Sequence, residues 1–87
     1  MQIKLKRKEE VFTFLEAADL PRPDGRIRHR IPSSGLYIDD HEIPYLGLWV
    51  EAQRRPLEEG TKYPYVSYTE DGVKCEWPPE WVEEVVE

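Results

Sequence analysis

From Gly25 to Ile31 the chain reads GRIRHRI, and apolar and polar positions alternate without a break. Ile27, His29 and Ile31 share one parity, and Arg26, Arg28 and Arg30 share the other. In an extended chain that places three guanidinium groups in a row above an apolar face. The same period of two runs through residues 2–6, with Ile3 and Leu5 on one side and Gln2, Lys4 and Lys6 on the other, and predicts a strand. Between these stretches the period changes. In KEEVFTFLEAADL the residues Val11, Phe14, Leu15 and Ala18 fall at i, i+3, i+4 and i+7, the spacing of one helix face. Glu9 and Glu10 suit the first turn of such a helix, and Pro21 and Pro23 stop it.

Beyond Ile31, PSSG predicts a loop and LYI a return to extended structure, with Leu36 and Ile38 on one side. IDDHEI predicts a tight hairpin, since two Ile flank short polar residues that tolerate turn dihedrals. PYLGLWVEAQRRP fits two periods. As a helix it starts at Pro44 with a stripe of Tyr45, Leu48, Trp49 and Ala52, and as a strand it alternates Leu46, Leu48, Val50 and Ala52; the strand is favoured. KYPYVSYTEDGVKCEW is a hairpin centred on Asp71-Gly72, a dipeptide suited to a type I′ turn. PPEWVEEVVE offers Pro79 for a first turn and the i, i+4 pairs Trp81–Val85 and Val82–Val86, which predict a short terminal helix. Together these elements predict an α+β fold in one domain, residues 1–87: a small antiparallel sheet with an N-terminal amphipathic helix and a short C-terminal helix.

Composition sharpens the picture in two ways. Apolar residues make up 39% and charged residues 34%, so the core is small, while three Trp, five Tyr and two Phe supply the area that disordered chains lack. The net charge of −6 is unevenly spread: residues 1–31 carry eight Lys/Arg against five Asp/Glu, and residues 32–87 carry four against thirteen. The start MQIKLKRKEEVFTFLEAADL is interrupted by Glu9, Glu10 and Glu16. No stretch reads as a signal peptide or a membrane span, and the expected location is cytoplasmic. Cys75 is the only cysteine, so it has neither a disulfide partner in the chain nor a second thiol for a metal knuckle.

Reactive constellations are few. Asp39, Asp40, His41 and Glu42 hold acid, base and ligand atoms, yet four consecutive residues at a hairpin tip are expected to splay into solvent. Metal-dependent activity at residues 39–42 therefore ranks third among the functional readings, and no residue is assigned to catalysis, a metal or a cofactor. His29 is expected on a half-buried sheet face, satisfied by a backbone carbonyl. The arginine row Arg26, Arg28 and Arg30, joined by Lys4, Lys6, Arg7 and Lys8 if the two strands are neighbours, would contact nucleic acid, and this is the second reading. Without such a contact the row is the charged side of an edge strand.

The leading reading lies in the C-terminal third, where Glu70, Asp71, Glu76, Glu80, Glu83, Glu84 and Glu87 face Lys74 alone. Trp and Tyr are favoured interface anchors. Tyr63, Tyr65, Trp77 and Trp81 with Glu80, Glu83 and Glu84 are therefore the expected docking residues of a non-enzymatic protein-binding module. Its partner is another protein or a second copy of the chain, and no membrane is involved.

GLYIDDHEIPYLGLWVEA followed by KYPYVSYTEDGVKCEW is similar to small accessory proteins of actinobacterial bacteriophages, in which a strand–turn–strand reading I-D-x-x-E-I-P precedes further alternating strands. The resemblance covers residues 36–77. It implies a phage-encoded protein that binds a host or virion partner in the host cytoplasm, and it supports the strand reading of residues 46–53. It lends no reaction and no functional residues.

Overall fold

The computed structural model of the chain describes residues 1–11, 18–21, 27–31, 34–56 and 62–87. Alternation dictates most of what is seen. Strand β1 (Gln2–Leu5) buries Ile3 and Leu5 and keeps Gln2 outside. A single helical turn, α1 (Lys8–Val11), follows. Then β2 (Ala18–Pro21), β3 (Ile27–Ile31) and β4 (Leu36–Asp39) form a sheet in that order. A 3₁₀ turn (Ile43–Tyr45) leads to β5 (Trp49–Glu51) and β6 (Gln53–Arg54). The hairpin β7 (Tyr65–Tyr68) and β8 (Lys74–Trp77) comes next, and a second 3₁₀ turn (Pro79–Trp81) feeds β9 (Val82–Val86). Two further antiparallel sheets result, ordered β5-β1-β9 and β6-β7-β8.

The three sheets share one core. Ile3 and Leu5 come from the first, Ile31, Leu36 and Ile38 from the second, and Cys75 and Trp77 from the third, with Trp81 added by the second 3₁₀ turn. Trp77 is 0% exposed and Trp81 4%. Their rings meet edge to face at 6.5 Å between centroids, an arrangement that suits the ring quadrupoles. The indole Nε1–H of Trp77 donates to Oγ of Ser67 at 2.8 Å, so the one polar atom of this ring is satisfied inside the core.

The expected α+β architecture is overturned: the fold is antiparallel β, with one single-turn helix among the described residues. The N-terminal helix is described over Lys8–Val11, and Ala18, expected on its apolar face, lies in β2 opposite Arg30. An isolated helix of about a dozen residues is marginal in water, and α1 buries no residue. Its one turn is held locally, by the Arg7 N–H donating to Oε2 of Glu10 at 3.0 Å, half of a capping box. Pro21 is tolerated because, among the described residues, β2 lies at the edge of its sheet. Phe14, Leu15, the Asp24-Gly25 turn and Arg26 lie outside the described residues.

The C-terminal helix is likewise replaced. After Pro79 the chain makes only a 3₁₀ turn, and VEEVV extends to pair with β1, with Val82 opposite Leu5 and Val85 opposite Ile3. Three valines in five residues favour the pleated surface over a helix. The hairpin expected at residues 38–43 does not form either, because Glu42 turns inward and the chain enters the 3₁₀ turn instead. The strand reading of residues 46–53 meets two short strands, β5 and β6, separated by the buried Ala52. Among the described residues no helix is long and apolar enough to cross a membrane.

Candidate functional site

The turn after β4 is where polar groups converge. Glu42 is 5% exposed, and both of its carboxylate oxygens face backbone donors. The Asp39 N–H donates to Oε1 at 2.8 Å and the Glu76 N–H to Oε2 at 2.7 Å, so one side chain clasps its own turn to β8. Burial pushes this carboxyl up to about 7, against the pull of the two N–H donors, and the nearby Asp39 and Glu76 carboxylates add to the rise. The expectation that residues 39–42 splay into solvent is thereby corrected: Asp39 and Glu42 are both buried.

His41 and Cys75 stand beside Glu42. A ring nitrogen of His41, a carboxylate oxygen of Glu42 and Sγ of Cys75 all lie within 4.8 Å of one another. The ring is fixed by β8, since its Nε2–H donates to the Lys74 carbonyl at 2.9 Å. A carbonyl only accepts, so the hydrogen bond assigns the proton to Nε2 and leaves the lone pair on Nδ1. Nδ1 is buried and has no hydrogen-bond partner among the described residues. Burial and the Glu42 carboxylate push the Cys75 thiol up to about 11. Cys75 is held inward by strand parity, the same parity that buries Trp77.

A cleft of about 270 Å³ opens on the other side of Glu42, lined by Arg28, Tyr37, Asp39, Tyr63, Lys74 and Glu76 as well. Its charges are internally paired. Arg28 Nε lies 2.9 Å from Oδ1 of Asp39, and its guanidinium sits over the Tyr37 ring at 5.7 Å. That bond to Asp39 raises the already high pKa of Arg28 further. Glu76 is flanked by Arg55 at 2.8 Å and Lys74 at 3.9 Å. The Tyr63 hydroxyl accepts the Tyr37 N–H at 2.9 Å, and desolvation raises its pKa.

The arginine row is therefore not an open basic stripe. β3 is the middle strand of its sheet, so the edge-strand reading fails. Arg28 is engaged by Asp39, Arg30 is exposed, and Arg26 is outside the described residues. β1 with Lys4 belongs to a different sheet, and Lys4 lies 3.7 Å from Glu83. His29 is buried as its parity requires, but its Nε2 meets the Asp40 carboxylate rather than a backbone carbonyl.

The expected docking residues divide sharply. Trp77 and Trp81 are core residues, out of reach of a partner, and the expectation that they anchor one is corrected. Tyr63 and Tyr65 are half-buried, the latter beneath the Arg54 guanidinium at 5.4 Å. Glu80, Glu83 and Glu84 are exposed, as is Glu87. β9, which carries Glu83 and Glu84, pairs with β1 on one side, and among the described residues nothing pairs with its other side. Arg54 lies 3.7 Å from Glu87, while Glu80 and Glu84 have no ion-pair partner among the described residues. The aromatic residue that does face solvent in this sheet is Trp49, 44% exposed and in register with Lys4, which in turn stands opposite Glu84. Its exposure was not legible in advance, because a strand seen alone does not say which parity faces the core.

Comparison with family models, curated proteins and solved structures finds no match.

Proposed function

We propose that this chain is a small, non-enzymatic protein-binding module that takes up a basic, extended segment of a partner protein along the free edge of β9. One observation carries the reading: a strand with one edge unpaired among the described residues is surrounded by the exposed carboxylates of Glu80, Glu83, Glu84 and Glu87. Unpaired strand edges are templates for an added strand, whose main-chain hydrogen bonds supply affinity. Charge selects the partner, because lysines and arginines are favoured against this edge and acidic segments are repelled. Val85 and Val86, both exposed, give the added strand an apolar contact beside the charges. This keeps the acidic C-terminal surface as the docking zone but replaces its indole anchors with backbone pairing. In keeping with the resemblance of residues 36–77, the partner is a host or virion protein.

The test is a fluorescence titration with two short synthetic peptides, one alternating lysine with valine and one alternating glutamate with valine. The basic peptide is expected to bind, to slow hydrogen exchange at β9 amides, and to weaken as salt rises. Reversing charge with Glu83→Lys and Glu84→Lys should abolish that binding. Equal binding of both peptides, unchanged exchange at β9, or self-association of the chain in place of peptide binding would each overturn the reading.

A further inference from the structure

The cluster beside the turn after β4 has no part in peptide docking. Three ligand types converge there from two segments far apart in sequence, a thiol from β8 with an imidazole and a carboxylate from residues 41 and 42. We propose that His41, Glu42 and Cys75 form a binding site for a thiophilic divalent cation of the zinc class, with a fourth position left for water or an external ligand.

Four features support it. First, the donor set of sulfur, nitrogen and oxygen is the mixture that zinc accepts and that magnesium and calcium do not. Second, His41 is already arranged as a metal-binding histidine. Its Nε2–H is spent on the Lys74 carbonyl, and the lone pair of Nδ1 is buried with nothing to accept. A ligating imidazole characteristically gives its other N–H to a carbonyl in this way, which fixes both tautomer and ring orientation. Third, Glu42 is aimed by its two backbone donors, and each carboxylate oxygen keeps a second lone pair for a cation. Fourth, charge balances. Binding breaks the Cys75 S–H bond and releases that proton to solvent as the sulfur–metal bond forms. Thiolate, carboxylate and dication then sum to zero, which a buried site tolerates.

The spacing is close to what coordination needs. Bonds of about 2.0–2.3 Å in a tetrahedral site set ligand atoms about 3.3–3.8 Å apart. The three atoms lie within 4.8 Å, so closure asks for shifts of about 1 Å. Access is available from two sides. Glu42 borders the cleft described above, and His41 borders a second one with Asp40, Pro44, Tyr45, Thr69, Asp71 and Val73.

The experiment is a titration of the chelator-washed, reduced full chain with Co²⁺, followed by displacement with Zn²⁺. The wild-type chain should take up one equivalent and develop a thiolate-to-cobalt charge-transfer band in the near ultraviolet. Cys75→Ser should lose the band, and His41→Ala should weaken binding by about tenfold or more. His41 is only half-buried, so its variant is expected to fold, which circular dichroism verifies. A folded wild-type chain that shows no charge-transfer band overturns the proposal. Equal Co²⁺ affinity in wild type and His41→Ala does the same.

Discussion

Glu42 shows how much one buried side chain can decide. Its carboxyl titrates at about 7 in the folded chain against 4.5 for an ordinary glutamate. Between those values the folded chain binds more protons than the unfolded one, so stability from this group is complete below about 4.5 and is lost as pH rises through about 7. The difference amounts to about 3 kcal/mol. Urea unfolding with chelator present, at about pH 5 and about pH 8, should show the loss in wild type and not in Glu42→Gln. At about pH 5 the variant itself should cost about 1–3 kcal/mol, because its amide NH₂ confronts the N–H of either Asp39 or Glu76, and by about pH 8 that cost should be offset by the loss in wild type. None of this was legible along the chain. Glu42 sits among polar neighbours that suit an open turn, and only the approach of Glu76 from β8 makes it an internal clasp. Cys75 was not legible either: it lies on the same strand face as Trp77, which was expected at a docking surface, and both its burial and the arrival of His41 needed the tertiary fold.

Among the elements, the hairpin of β7 and β8 separates what a local pattern specifies from what it leaves open. The strands and their turn were foreseen, but the turn is not type I′. Asp71 has negative φ, and Gly72 alone lies in the left-handed region at φ +81°. The Gly72 N–H donates to the Thr69 carbonyl and the Thr69 N–H to the Val73 carbonyl, each at 2.9 Å, a type I turn closed by a glycine bulge. A Cβ added at Gly72 would meet nothing within 4 Å, so Gly72→Ala should cost only the left-handed penalty, about 1 kcal/mol in the thermal unfolding free energy. Short helical patterns were the weak point of the sequence. The i, i+4 spacing at residues 81–86 is real, yet β9 found a partner strand in β1, and pairing outweighed a helix too short to stand alone; at the other end Ala18, the last residue of the expected helix face, lies in β2. Alternating stretches fared better because their period leaves one face to bury; β1 and β4 place the expected apolar residues inside, and β3 does so at His29 and Ile31 while Ile27 at its start is exposed.

For the whole molecule, one core beneath three sheets means that no sheet is stable by itself. Ile38 is wholly buried in the cluster that Ile3, Cys75 and Trp77 also fill. Ile38→Ala should therefore cost about 2–5 kcal/mol and lower the unfolding midpoint of all three sheets together. Coincident transitions by indole fluorescence and far-ultraviolet circular dichroism would show it. Of the charge asymmetry read from the sequence, the acidic end stays open in Glu80 and Glu84, which face solvent, while Arg28 and Lys4 of the basic end meet carboxylates. The order β5-β1-β9 has a kinetic meaning as well. During synthesis β1 leaves the ribosome about eighty residues ahead of the strand it must join. Until then its Ile3 and Leu5 have only one flank covered, so the nascent chain carries a sticky, half-finished ribbon that chaperones would recognise.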